Sequence, residues 1–294
     1  MDLNSTSQSR CDYSNVTAAF YLSNSNPGPH MVVVTCVIIA VSLPVTMVAI
    51  YAVYSLVQKD NVAPVYVINL LISDLIQLCS MVVAVATSST SKTFEIFFYI
   101  YHFGVTTSVC FMVCIALERY LVIGCPLWYR FRRTIKISLG VCVVVWAFAL
   151  TYILLVYFCY TSCFLDAEII FDVFFLVPLP LLIFFLGGTI KALSTASRMP
   201  TDEKRRIVAL IVLVLLIYTL LFLPAIIWSL ADKATVKSLL SELSYTFIQF
   251  SPLADSFLYV FLRKGAADRL LVSMCCCRID SKDVSISREG RENN

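Results

Sequence analysis

Charge is what this sequence is short of. Only 14% of its 294 residues are Asp, Glu, Lys or Arg, where ordinary soluble domains carry roughly a quarter. With hydrophobic residues at 60%, most side chains cannot be facing water, and the chain belongs in a membrane. Histidine is scarcer still. His30 and His102 are the only two, too few for a histidine cluster that titrates near neutral pH. Internal repeats and low-complexity tracts are absent, which leaves one bundle with a polar head and tail and no second domain. The net charge of +3 is too small to point to nucleic acid or to acidic substrates.

What the chain does have is long apolar runs. A bilayer core of about 30 Å needs about 20 apolar residues per helix, and seven stretches meet that length, at about 31–57, 64–87, 94–123, 135–160, 167–193, 205–231 and 239–262. The connections between them are short and carry turn or charge signals such as "QKDN", "TSSTSK", "RFRRTIK", "STASRMPTDEKRR" and "ADKATVK". The expected fold class is an all-α membrane protein, a seven-transmembrane helix bundle. Residues 1–30 form an extracellular N-terminal segment, 31–262 the bundle, and 263–294 a short amphipathic cytosolic helix and tail. The N-terminus shows no charged region followed by an apolar run and a small-residue cleavage site, so the first span is expected to direct insertion itself.

Lysine and arginine set the orientation. With the N-terminus outside, the external set is Arg10, Lys92, Lys233 and Lys237, and the other eighteen of the 22 are internal. Two glycosylation sequons, at Asn4 and Asn15, fall on the side that this rule places outside.

Arg119 then lies at the inner end of the third span, where a charge either snorkels to the interface or is functional. Its company across the chain resembles the rhodopsin-like class of G-protein-coupled receptors. "ERYLVIGCPLWYR" is similar to that family's (D/E)RY motif followed by the proline of the second inner loop, here Pro126. "NLLISDL" supplies the second-helix Asn69 and Asp74, Trp146 matches the fourth-helix tryptophan, and "FLP" places Phe222 and Pro224 at the sixth-helix kink. "DSFLY" resembles the (N/D)PxxY motif through Asp255 and Tyr259. The last motif's Asp, the Phe before "LP" and the short third inner loop are most like the branch with purinergic, protease-activated, lipid and proton-sensing receptors.

The resemblance implies transmission of an extracellular ligand signal to heterotrimeric G proteins by helix rearrangement. The coupling and switch residues it implies are Glu118, Arg119, Tyr120, Pro126, Phe222, Pro224 and Tyr259. An Arg119–Glu118 pair that opens when helices move is a two-state electrostatic element. Pro224 removes a backbone hydrogen bond inside its helix and bends it.

Asp74 and Asp255 are carboxylates at mid-membrane depth, costly unless paired, protonated or bound to a cation. The resemblance gathers them with Ser108 and Ser251 around a sodium ion, and oxygen-only ligation suits a hard cation. A buried hydrogen-bonded cluster without an ion is the alternative. No other cofactor is expected. The ligand pocket that the family's positions imply holds Tyr101, His102, Val105, Ser229 and Tyr245. Without a carboxylate at Tyr101, an amine ligand lacks its usual counter-ion, whereas Lys92 and Lys233 could meet an anionic head group.

Four positions depart from the family. Thr46 stands where the first helix has asparagine, Phe94 where the third has its bridged cysteine, Gly188 where the fifth has a tyrosine, and Ser256 where the last motif has proline. They leave open a second reading, a non-signalling receptor-like membrane protein that acts as a decoy, in trafficking or as a heteromer partner. Disulfide candidates are Cys11 with Cys159 or Cys163, or a local bridge between the latter two. Cys275, Cys276 and Cys277 follow an amphipathic segment and are candidate palmitoylation sites beside membrane lipid; without a nearby histidine they make a poor zinc set.

Other classes fit less well. A retinal pigment needs a Schiff-base lysine in the last span, and 239–262 contains none. A transporter would show internal symmetry or paired broken helices with several buried charges. An enzyme would need a nucleophile, a metal or an acid and base set, and the buried acids already have a non-catalytic explanation.

Overall fold

The computed structural model describes residues 29–60, 65–87, 92–124, 135–162, 167–195, 201–229 and 243–262. Asn4, Asn15, Cys11, Pro126, Cys163 and the cysteines 275–277 lie outside them, as do the side chains of Ser229 and Tyr259. All of the regular structure in the described residues is helical. The helices are α1 (Pro29–Asp60), α2 (Val65–Ala86), α3 (Lys92–Gly124), α4 (Ile135–Ser162), α5 (Ala167–Leu176), α6 (Pro178–Thr195), α7 (Thr201–Ser229) and α8 (Ser251–Leu262), the last preceded by helical residues 243–249.

Among the described residues, six helical stretches are long and apolar enough to cross a membrane: Val32–Tyr54, Val65–Ala86, Lys92–Gly124, Lys136–Cys159, Val173–Ser194 and Ile207–Pro224. Two expected spans are not continuous helices. The fifth breaks at Val177, between α5 and α6, because Pro178 and Pro180 have no N–H to offer Phe174 and Leu176, four residues earlier. Across the break, Val177 N donates to Val173 O at 3.2 Å. The last turns at Phe250, whose N–H reaches back to Phe247 O at 3.1 Å, and Pro252 cannot supply the next helical bond.

Polarity is inverted relative to a water-soluble protein. Val48 and Val143 are each 68% exposed, whereas Asp74, Thr46, Gln77 and Asp255 are fully buried. Apolar side chains meet lipid tails, and polar groups find each other inside. The axis of the bundle is α3, which packs against α2, α4, α6 and α7. Its Val109, Phe111, Met112 and Ile115 join Leu70, Leu78, Tyr218, Leu221, Phe222 and Leu258 in the core. The last helix α8 closes the arrangement against α1, α2 and α7, and so brings its acid next to that of α2.

Candidate functional site

The polar centre is built on helical spacing. Asp74 and Gln77 are one turn apart on α2, and Ser251 and Asp255 one turn apart on α8. Ser108, on α3, donates its hydroxyl hydrogen to Asp255 Oδ2 at 2.6 Å, and Ser251 Oγ reaches the same oxygen at 3.5 Å. Gln77 Nε2 donates to Asp74 Oδ1 at 3.4 Å. The two carboxyls are neighbours, close enough for each to act on the other's charge. The four residues named from the sequence therefore converge. Asp74 Oδ2, Asp255 Oδ1 and Gln77 Oε1 are buried with no donor among the described residues.

Two carboxyls this close and this deep cannot both carry charge without a proton between them or a cation beside them. The donor-less oxygens fit a small, hard cation, and the hydroxyl oxygens of Ser108 and Ser251 complete an all-oxygen set. Among the described residues no three of His, Cys, Asp and Glu converge as a metal site. Gln77 is not foreshadowed by any motif. The one available signal is a long amide one turn after the acid, on the same helix.

A second polar seam joins the first and last helices. Thr46 Oγ1 and Ser256 Oγ are 3.3 Å apart, and Ser256 Oγ donates to Pro252 O at 3.0 Å. A serine hydroxyl has one hydrogen, so Thr46 is the donor between the two. Three turns earlier on α1, Thr35 donates to Gln249 Oε1 at 3.0 Å. Asn69 ties α2 to α4: Trp146 Nε1 donates to its Oδ1 at 2.9 Å, while its own Nδ2 donates to Val65 O at 2.8 Å.

At the end of α3, Glu118, Arg119 and Tyr120 are half-buried. Arg119 Nε is a buried donor with no acceptor among the described residues. The Tyr120 ring stacks on Phe185, centroids 5.9 Å apart, and lies over Gly188, where a Cβ would stand 2.6 Å from Tyr120 Cε2. The glycine that replaces the family's tyrosine is thus the seat of another tyrosine. On α7, Phe222 stacks on Phe175 at 5.0 Å, and Tyr218 donates its hydroxyl hydrogen to the Phe175 carbonyl, just before the proline break. Pro224 lies one turn before the α7 helix ends at Ser229.

Near the other end of α3, Tyr101, His102 and Val105 are buried. Tyr245 lies near both Tyr101 and Gln249. The Tyr101 hydroxyl has no partner among the described residues. His102 Nδ1 is 2.9 Å from Phe98 O, and its ring lies 4.2 Å from that of Phe98, the surroundings of a satisfied core histidine. Phe94 is buried at the start of α3, and Cys159 is buried near the end of α4. Both candidate disulfide partners of Cys159 lie outside the described residues.

The family model of the 7 transmembrane receptor (rhodopsin family) matches residues 45–259. The chain belongs to this family. The receptor is similar to mouse G-protein coupled receptor 68, with 25% identity over 266 residues, 78% of this chain and 72% of that protein. It is 28% identical to human G-protein coupled receptor 68 over 122 residues, 39% of this chain and 33% of the relative. Mouse Mas-related G-protein coupled receptor member A6 is 26% identical over 210 residues, 64% of this chain and 66% of its own length. The receptor is a multi-pass membrane protein, and its family is one of receptors rather than of enzymes.

Proposed function

We propose that this receptor carries an extracellular ligand signal to a heterotrimeric G protein by rearranging its helices. The observation behind the reading is Arg119, whose Nε is buried without an acceptor among the described residues. A charged donor left so is costly, and an incoming partner that offers an acceptor offsets the cost. Pro224 lets part of α7 bend relative to the rest. Pro126, with Arg130, Arg132, Arg133 and the Lys204–Arg206 run, extends the same cationic surface toward an acidic partner and anionic lipid.

In this reading residues 239–262 form the seventh span, and 263–294 form a cytosolic amphipathic helix and tail palmitoylated at Cys275, Cys276 or Cys277. The N-terminus is extracellular at the plasma membrane, glycosylated at Asn4 or Asn15, with a disulfide among Cys11, Cys159 and Cys163. The ligand meets Tyr101, His102, Val105, Ser229 and Tyr245, and the unpartnered Tyr101 hydroxyl is its hydrogen-bond contact. Asp74, Ser108, Ser251 and Asp255 hold a sodium ion, which supplies one positive charge between two carboxyls and favours the resting arrangement.

The test is nucleotide exchange on a panel of G proteins in cells that express the receptor and Arg119→Ala at equal surface level. Exchange above background that falls to background in the variant is expected; exchange that persists undiminished would defeat the coupling role. The Tyr120 ring seated on Gly188 favours a second reading, a receptor-like protein whose inner end is held shut. Silence of both forms with every G protein would select it.

A further inference from the structure

We propose that Gln77 is itself a ligand of the cation site, an amide oxygen supplied by α2 into the room left by Gly104 of α3. The inference rests on the sodium reading above and adds a residue to it. Gln77 is fully buried in the bundle. A Cβ on Gly104 would stand 2.7 Å from Gln77 Cγ and 3.1 Å from Ser73 O, so this glycine is what admits the glutamine chain between the two helices. The space is thus committed to a long polar side chain rather than to an apolar one.

That side chain is poorly satisfied. Its Nε2 makes one long bond, 3.4 Å to Asp74 Oδ1, and its Oε1 has no donor among the described residues. A buried amide in this state is destabilising. The shortage has a consistent pattern: the donor-less atoms Gln77 Oε1, Asp74 Oδ2 and Asp255 Oδ1 are all oxygens. What such a group lacks is positive charge, and an amide oxygen is a hard ligand suited to sodium. The terminal torsion of glutamine is broad and roughly two-fold, so a half-turn exchanges its nitrogen and oxygen. The same side chain therefore donates to the Asp74 carboxylate when no cation is bound and offers Oε1 to a cation that the carboxylate holds. Its orientation follows occupancy.

The test uses the full-length receptor purified in detergent, melted over a sodium chloride series with choline chloride holding the ionic strength constant. Gln77→Met keeps length and approximate volume but has no oxygen; Gln77→Leu serves if it does not fold. Melting in choline alone reports any purely structural cost, and the sodium concentration giving half of the stabilisation reports the ligand. That concentration is expected to rise about tenfold or more in Gln77→Met, as losses around metal sites do, while Gln77→Glu, which keeps an oxygen, retains the response. A Gln77→Met response equal to wild type would overturn the assignment with the sodium site intact. A wild type indifferent to sodium, or a response that survives Asp74→Asn, would remove the sodium site and the assignment together.

Discussion

Thr46 of the first helix and Ser256 of the last hold each other through their hydroxyls at 3.3 Å, and both stand where this receptor departs from the family pattern. Each alone looks like a missing part. Together they make one polar contact between the first helix and the last. Thr46→Val, which keeps the shape and removes the hydroxyl, is expected to cost about 0.5 to 1.5 kcal/mol. Ser256→Ala should cost somewhat more, because its bond to Pro252 O is lost too. The double variant should melt close to Ser256→Ala alone. Losses that simply add would mean that the two hydroxyls do not act on each other.

Gly188 is a seat for Tyr120 rather than an empty position. With Phe185 stacked on the ring and Gly124 also beside it, a Cβ 2.6 Å from Cε2 has nowhere to displace the ring cheaply. Gly188→Ala is expected to destabilise by about 1 to 3 kcal/mol, the usual range for overpacking. Adding Tyr120→Ala should recover part of that loss, since the clashing ring is gone. If the alanine variant melts as the wild type does, the seat is not tight.

The helices were legible because each must be apolar over the thickness of a bilayer, a requirement that composition alone exposes. The breaks at Val177 and Phe250 were not, although Pro178, Pro180 and Pro252 were in plain sight. Membrane helices tolerate proline, so a proline marks a place where a helix can break without saying that it does. The meeting of Asp74 and Asp255 was anticipated by a motif, not by spacing, since 181 residues of chain separate them. Gln77 and Gly104 escaped because neither means anything without the other: the glycine reads as a weak helix former and the glutamine as one polar residue among many. Gly188 was read as a loss for the same reason, as its partner lies 68 residues away.

The hydroxyl of Tyr218 binds the Phe175 carbonyl at the end of α5, where the proline break loosens helical bonding. This bond ties α7 to the break. Tyr218→Phe keeps the stack on Phe222, centroids 4.8 Å apart, and removes only the bond. It is expected to cost about 1 to 2 kcal/mol by melting, since a buried carbonyl loses its donor. An unchanged melting point would show that the carbonyl finds another partner.

The two serines at Asp255 Oδ2 should be unequal. Ser108 donates at 2.6 Å, the length of a hydrogen bond to an ionised carboxylate, whereas Ser251 sits at 3.5 Å, at the edge of bonding. Both hydroxyls are small, both residues are fully buried, and both become alanine with little change in volume, so the comparison isolates the bond. Ser108→Ala leaves Oδ2 with at most the long contact to Ser251, and is expected to cost about 1.5 to 3 kcal/mol, as for other bonds to charged groups. Ser251→Ala should cost less, below about 1 kcal/mol, because the contact it removes is at the edge of bonding. Melting curves of the purified receptor in choline chloride, without sodium, decide it, because a bound cation would partly substitute for the lost donor. Equal costs for the two variants would mean that Asp255 shares its hydrogen bond between them and that Ser108 has no privileged place at the centre of the bundle.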